Sequence, residues 1–236
     1  MMQNIDHRHG FSVITGREAK AKKILSILEA AGRPFGADHL ALDIGCGSGE
    51  IAEIISHTGP VIAVDLIDQR VRPKNTPFAF CSEHLPFCRD TFDLVLSNHV
   101  IEHVTDPGLH LREIHRVLRP GGTLYLATPN RWWPREVHSN LPLLHYLRWD
   151  WFSKLASLLG RTNEPIRLQS LSSLKGLANS HYHIEVWHPK VITDPDYYHL
   201  PLPAYAAPII RHVPETLLHL TAPLHPTLIT LMIPRR

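Results

Sequence analysis

Three glycines at alternate positions, Gly45, Gly47 and Gly49, stand between an apolar run, Leu40 to Ile44, and a segment of helical character, Glu50 to His57. Glycine lets a backbone take positive φ and approach a ligand closely, and a helix behind the turn presents unpaired N–H groups. A strand, a glycine turn and a helix in that order make a nucleotide site. The spacing departs from the G-x-G-x-x-G dinucleotide pattern, and Asp43 stands two residues before the first glycine. A carboxylate there repels a pyrophosphate but accepts hydrogen bonds from a cationic or amine-bearing ligand. Asp65 closes the next apolar run, Val61 to Val64, where a ribose can meet it. With two carboxylates and no phosphate-binding lysine, the turn fits an adenosyl amino acid better than NAD or ATP.

The elements that must hold these residues follow from hydrophobic spacing. Arg17 to Ala31 carries Ile24, Leu25, Leu28 and Ala31 at helical intervals, with Thr15 as a cap and Gly32 as a terminator, and predicts an N-terminal helix across the cofactor edge. Phe11 and Arg17 border that edge in this reading. The interval from Asp65 to Phe78 is short and carries Pro73 and Pro77, so it predicts a loop or one helical turn. Phe92 to Asn98 reads as a central strand with a polar C-terminal end. Asp106-Pro107 opens a helix whose stripe is Leu111, Ile114 and Leu118, and Pro120-Gly121-Gly122 ends it. Thr123 to Thr128 is the next strand, Ser172 to Ser180 a helix, Tyr182 to Trp187 an alternating strand, and Pro226 to Ile233 a final edge hairpin strand.

Five segments in order carry a family resemblance: Leu42 to Glu50, Val64-Asp65, Ser82 to Phe87, Phe92 to Val104, and Arg116 to Gly122. Over residues 38 to 130 the chain resembles the class I S-adenosylmethionine-dependent methyltransferases, in particular the ubiquinone and menaquinone biosynthesis group. The resemblance implies an α/β fold: a Rossmann-like seven-stranded mixed sheet, its last strand antiparallel, with helices on both faces and a cap inserted after strand 5. It implies S-adenosylmethionine as cofactor, S-adenosylhomocysteine as product, and a cofactor site at Asp43, Gly45, Cys46, Gly47, Gly49, Asp65, Leu66, Cys81, Ser82, Glu83, Asn98 and His99. Similar proteins commonly have an aspartate, an acceptor for the adenine amino group, where this chain has Cys81. Thiol sulfur accepts hydrogen bonds poorly, which leaves adenine to the backbone of Ser82 and Glu83.

Methyl transfer from a sulfonium is an in-line displacement, accelerated largely by holding the reactants close and aligned. A general base is needed when the acceptor must lose a proton, and the candidates are His99, His103, Glu136 and His138. His99-x-x-Glu102-His103 resembles the Glu-x-x-Glu-His motif of ubiquinone O-methyltransferases, which binds a divalent ion. On a helix, positions three and four apart share a face. The first acidic position is His99 here, and similar methyltransferases without metal carry Glu-His-Val behind the site, so the expectation is no metal.

Length and composition bound the rest. The chain has 236 residues, 44% of them hydrophobic, enough for one domain with an appended cap. We divide it into an N-terminal helical segment (1–37), a cofactor-binding core (38–130), an inserted substrate cap (131–168) and a C-terminal helix and strands (169–236). Four of the five tryptophans, Trp132, Trp133, Trp149 and Trp151, crowd into that cap. A loop so apolar must bury itself, over an acceptor, in a helical hairpin of the core, or in a dimer interface. With 24 basic against 22 acidic residues and no long run of one sign, a nucleic-acid footprint is not evident. Cys46, Cys81 and Cys88 read as reduced thiols, and Met1 to Gly10 lacks the apolar stretch of a signal peptide. Pro223, Pro226, His219 and His225 interrupt the uncharged run Thr216 to Ile233, so no membrane span is expected. The expectation is a cytoplasmic monomer or homodimer acting on a small-molecule acceptor, with methylation of a protein or nucleic-acid side chain, or a non-catalytic binding protein of the same fold, as alternatives.

Overall fold

The computed structural model describes residues 10–70, 76–134, 167–201 and 212–235. Strand β1 (Ala41–Ile44) is buried along its whole length and lies third in a seven-stranded sheet. It pairs in parallel with β2 (Val61–Asp65) on one side and β4 (Phe92–Asn98) on the other. The short β3 (Phe78–Phe80) extends the β2 side, and β5 (Leu118–Pro129) pairs in parallel with β4. Near-continuous apolar strands of this kind require cover on both faces.

Two sets of helices supply it. Helix α1 (Gly10–Ala30) buries Ala21, Ile24, Ile27 and Leu28, and packs with α2 (Glu50–Ser56) against Ala41, Ala63, Leu94, Leu96 and Tyr125. On the opposite face α3 (Pro107–Val117) and α4 (Leu171–Ala178) cover Leu42, Ile44, Val95, Leu124 and Leu126. Asp106 caps α3, its carboxylate accepting from the N–H groups of Gly108 and Leu109, and Ser170 caps α4 in a reciprocal box with Ser173. The expected helix from Ser172 therefore begins at Leu171.

The far side of the sheet departs from expectation. Strand β7 (Thr227–Pro234) runs antiparallel to β5 and also to β6 (Tyr182–Val186), giving the order β3-β2-β1-β4-β5-β7-β6. The last strand is antiparallel as expected, but it is not an edge strand: it inserts between β5 and β6. Its burial explains the placement, because Leu228 to Met232 are buried without a break, whereas β6 is fully buried only at Tyr182. Helices α5 (His188–Thr193) and α6 (Glu215–Thr221) lie between β6 and β7 in the chain.

From β1 the chain moves outward to β2 and β3; from β4 it moves the other way. Open α/β sheets bind ligands at such a reversal, beyond the C-terminal ends of the strands. Here that crevice lies at the ends of β1 and β4. From Leu66 to Arg70 and at Thr76–Pro77 the β2–β3 connection has no helix, as its prolines predict. The cap expected over 131–168 lies outside the described residues except at Arg131 to Pro134 and at Arg167 and Leu168.

Candidate cofactor site

The glycine turn is built by the strand beside it. Gly45 and Cys46 donate their N–H groups to the Val64 carbonyl at 2.8 and 3.1 Å, which bends the chain over the end of β2. Gly45, Gly47 and Gly49 have φ of 65°, 52° and 74°, a left-handed region that favours glycine. A Cβ on Gly45 would stand 2.6 Å from Val100 Cγ2, so the turn after β1 touches the turn after β4. At Gly47 a Cβ would meet nothing within 4 Å: its outer side is open. Gly49 caps α2 without a side chain.

Two carboxylates frame this turn. Asp65 accepts from Gly47 N–H at 2.8 Å through one oxygen and from Leu66 N–H at 2.7 Å through the other. Each carboxylate oxygen keeps a second lone pair for a ligand hydroxyl. Asp43 is buried, and its Oδ2 has no hydrogen-bond partner. Burial, with the Asp65 charge adding to it, pushes the Asp43 carboxyl up to about 7. An unpaired buried carboxyl beside a second one is stable only when protonated or when a cation offsets its charge. Burial likewise pushes the Cys46 thiol up to about 12, which makes it an inert wall.

Arg17 of α1 pairs with Glu50 at 3.0 Å and donates to Ser48 Oγ, while Ser48 donates to Glu50 at 3.1 Å. The N-terminal helix thus reaches the end of the glycine turn through Arg17; the Phe11 side chain lies outside the described residues. Past Asp65, Leu66 and Ile67 are 70% and 63% exposed, and Phe80 at the end of β3 is 69% exposed. These apolar side chains beside a carboxylate leave a surface that an aromatic base would cover.

Cys81 N–H donates to the Asp65 carbonyl, so the next loop starts at the same edge. The Cys81 thiol donates to the carbonyls of Ser82 and His84 at 3.0 and 3.3 Å and is turned into its own loop. Ser82 and Glu83 are exposed beside it. Glu113 and Arg116 of α3 hold the loop: Glu113 accepts from Leu85 N–H, and Arg116 donates to the Leu85 and Phe87 carbonyls. This clamp has no local motif, and sequence reading passed over it.

Asn98, half-buried, ends β4, and His99 N–H donates to the Ala127 carbonyl at 2.8 Å. His99 has φ of 60°, and residues 101–103 form a turn. The helix face expected to unite His99, Glu102 and His103 is absent. Glu102 is wholly buried and His103 is exposed. Among the described residues no group of three or more metal-ligating side chains converges. Glu136 and His138 lie outside the described residues. Asp43, the glycine turn, Asp65, Leu66, Cys81 to Glu83, Asn98 and His99 thus come together on adjoining strand ends, and Val100, Arg17 and Glu102 join them.

A cavity of about 380 Å³ lies at the opposite, N-terminal end of the strands, lined by Leu28, Arg33, Phe35, Asp93, Leu94 and Arg119 among others. Two of its cations are already engaged, Arg33 with Glu185 and Arg119 with Asp93. We place the site at the C-terminal ends, where unpaired acceptors and open backbone meet.

Comparisons with known proteins agree with this architecture. A family model described as a methyltransferase domain matches residues 42–126. The ubiquinone biosynthesis O-methyltransferase of Caulobacter vibrioides is 33% identical over 161 residues, 59% of this chain and 64% of its own length. That of Parvibaculum lavamentivorans is 36% identical over 110 residues, 42% of this chain and 43% of its own. The chain thus spans 43% to 64% of the length of these curated relatives. The crystal structure of an S-adenosylmethionine-dependent methyltransferase from Mesorhizobium loti superposes with a TM-score of 0.55 over 87% of this chain and 95% of its own, at 21% identity, a likeness of fold.

Proposed function

We propose that this protein, whose residues 42–126 match a methyltransferase domain model, transfers a methyl group from S-adenosylmethionine to a small-molecule acceptor related to the quinones. The observation that carries the reading is Asp65: a carboxylate at the end of β2, oriented by the N–H groups of Gly47 and Leu66, beside the exposed Leu66 and Ile67. Two oxygens with spare lone pairs suit the two hydroxyls of a ribose, and the adjoining apolar side chains suit its adenine.

Each remaining part of the cofactor finds a counterpart. Asp43 with its unpaired Oδ2 suits the positive charge of the amino-acid end, directly or through a water. Gly47, open on its outer side, lets that end approach the backbone. Backbone groups of Ser82 and Glu83 replace the aspartate that Cys81 lacks at the adenine edge. When bound, the sulfonium supplies an electrophilic methyl group, and the protein's task is to bind, align and exclude water. Relatives named for ubiquinone biosynthesis support a quinone-related acceptor. The cap, with Trp132, Glu136 and His138, is our proposed roof over it. Among the described residues no helix is long and apolar enough to cross a membrane. We propose a cytoplasmic enzyme, monomeric or dimeric.

Calorimetric titration tests the reading. Wild-type protein should bind S-adenosylmethionine, and Asp65→Ala should bind it at least about tenfold more weakly, since charge-assisted hydrogen bonds contribute about 1.5–3 kcal/mol each. Equal affinity in the two proteins would remove Asp65 from the site and the reading with it.

A further inference from the structure

We propose that Cys81 makes this site indifferent to the 6-amino group of the cofactor's purine: the base is held by apolar contact and by backbone N–H donors, so that a 6-oxo base, hypoxanthine, binds as well as adenine. The inference rests on the methyl-transfer reading and adds to it a residue that sets cofactor specificity.

Asp65 fixes where the base lies. With the ribose on its carboxylate, the base falls towards β3, whose last residue, Phe80, is the ladder partner of Asp65. Leu66, Ile67 and Phe80 are exposed there, an apolar platform for a purine face. Arg70 holds the platform in shape. It donates to Asp68 through Nε and Nη2, both at 2.8 Å, and to the Thr76 carbonyl at 3.0 Å, and its guanidinium lies 4.5 Å from the centre of the Phe78 ring. Contact of this kind does not read position 6, because every purine offers the same face.

The edge of the base meets the loop that starts at Cys81, whose N–H donates to the Asp65 carbonyl at 3.0 Å. A 6-amino group is a donor and needs an acceptor; a 6-oxo group is an acceptor and needs a donor. Cys81 is buried at the start of this loop and supplies no acceptor. Its thiol donates inward to the carbonyls of Ser82 and His84 at 3.0 and 3.3 Å, which engages two backbone acceptors as well. Burial, with the charges of Glu113 and Asp65 adding to it, pushes that thiol up to about 11, so the proton stays on sulfur. The N–H groups of Ser82 and Glu83, by contrast, take no partner among the described residues. The free edge thus consists of donors, which suit the ring nitrogens of either purine and O6 of hypoxanthine as well.

The loop is held in this arrangement. Glu113 accepts from Leu85 N–H at 3.0 Å, Arg116 donates to the Leu85 and Phe87 carbonyls at 2.9 and 2.7 Å, and Leu85 is buried in the core. Glu83 carries the only carboxylate between Cys81 and Phe87, but it is exposed, where water competes for each hydrogen bond and the net gain is small. A site with a buried acceptor rejects an analogue that lacks the matching donor, because the acceptor is left unpaired on binding. With the thiol turned inward, this edge has no such acceptor among its described side chains, and the penalty that would select adenine is absent.

Calorimetric titration of the full chain with S-adenosylhomocysteine and with its deaminated counterpart, S-inosylhomocysteine, tests this without any methyl acceptor. The two Kd values should agree within about threefold for the wild type, and Cys81→Asp, which puts an acceptor at the edge, should favour the adenosyl ligand by about tenfold or more. Should Cys81→Asp fail to fold, Cys81→Asn carries the same expectation, since its amide can donate to the Ser82 and His84 carbonyls while its oxygen accepts. Glu83→Ala should leave the wild-type ratio as it is. A larger wild-type preference for the adenosyl ligand overturns the proposal, and its loss in Glu83→Ala would name the exposed carboxylate as the group that reads the base. Folded Cys81 variants whose ratio stays near one overturn the role of Cys81. Binding of neither ligand by the wild type sinks the methyl-transfer reading along with the proposal, whereas binding with a strong preference for adenine sinks the proposal alone.

Discussion

Asp43 concentrates the electrostatic tension of the site in one side chain. Burial, helped by the Asp65 charge, raises its carboxyl to about 7 in the folded protein, against an ordinary 3.8. A carboxyl raised on folding favours the native state fully below its unfolded value, and that contribution is lost as pH rises through the folded one. Between about pH 4 and 7 the unliganded protein should therefore lose about 1.4 kcal/mol per pH unit from this group, relative to a variant without it. We expect Asp43→Asn to melt close to wild type near pH 4 and several degrees above it at pH 8, because 1 kcal/mol is worth roughly 2–4 °C at this size. Thermal melts across that range, without cofactor, check the sign. A variant less stable than wild type at pH 8 would mean that Asp43 is paired by a group not identified here. The same carboxyl was legible in the sequence from its place two residues before Gly45; its unpaired oxygen was not, since that depends on which neighbours fail to reach it.

The glycine turn separates two kinds of positive φ. Gly45 and Gly47 are both left-handed, but a Cβ at Gly45 meets Val100 at 2.6 Å while one at Gly47 meets open space. We expect Gly45→Ala to be destabilised by both strain and overpacking, by about 2–4 kcal/mol, and Gly47→Ala by about 1 kcal/mol of backbone strain alone. Cofactor affinity should rank them the other way relative to stability: Gly47→Ala loses binding out of proportion to its small change in Tm. Equal effects on melting would show that Val100 gives way. Glycine spacing made this turn readable because the residue type itself records the backbone conformation. The turn at His99 left no such record. Its spacing to Glu102 and His103 read as a helix face, yet the Ala127 carbonyl on β5 captures His99 N–H and the chain turns out of β4 at positive φ. Long-range hydrogen bonds of this kind overrode the local pattern. Glu102 was visible as a possible ligand, but its link to Thr128, 26 positions on, required the fold.

Across the whole molecule, the parallel half of the sheet was readable and the antiparallel half less so. The strands β1 to β4 are apolar runs with their own boundaries, whereas β5 was read only from Thr123 and in fact begins at Leu118, through the stretch expected to end the helix; β6 and β7 were found as strands, but their order turns on burial, which the unbroken run Leu228 to Met232 only hints at. Two buried histidines tie these halves to pH. His110, behind Ser97 in β4, and His188, at the start of α5, are both pushed down to about 4 by burial. His188 Nδ1 stands 3.2 Å from Ile229 N–H and Nε2 3.0 Å from the Ala222 carbonyl, so the neutral ring satisfies both groups and protonation would orphan the first. For a base depressed on folding, stability is present above the unfolded value near 6.5 and is lost as pH falls through the folded one. Between pH 5 and 6 the unfolded chain thus takes up about two protons at these histidines that the native state refuses, while the native state holds about one on Asp43 that the unfolded chain has released. The difference, about one proton, should make the wild type lose about 1.4 kcal/mol per pH unit on acidification in that window. His188→Gln, which can still accept from Ile229 and donate to Ala222, should bring the slope near zero, and Asp43→Asn should roughly double it. Denaturant titrations at pH 5, 5.5 and 6 measure all three slopes. If His188→Gln leaves the slope of the wild type unchanged, the histidine between α5 and β7 is not the group that resists protonation, and the acid sensitivity lies with His110 and with His225, whose imidazole burial also pushes down.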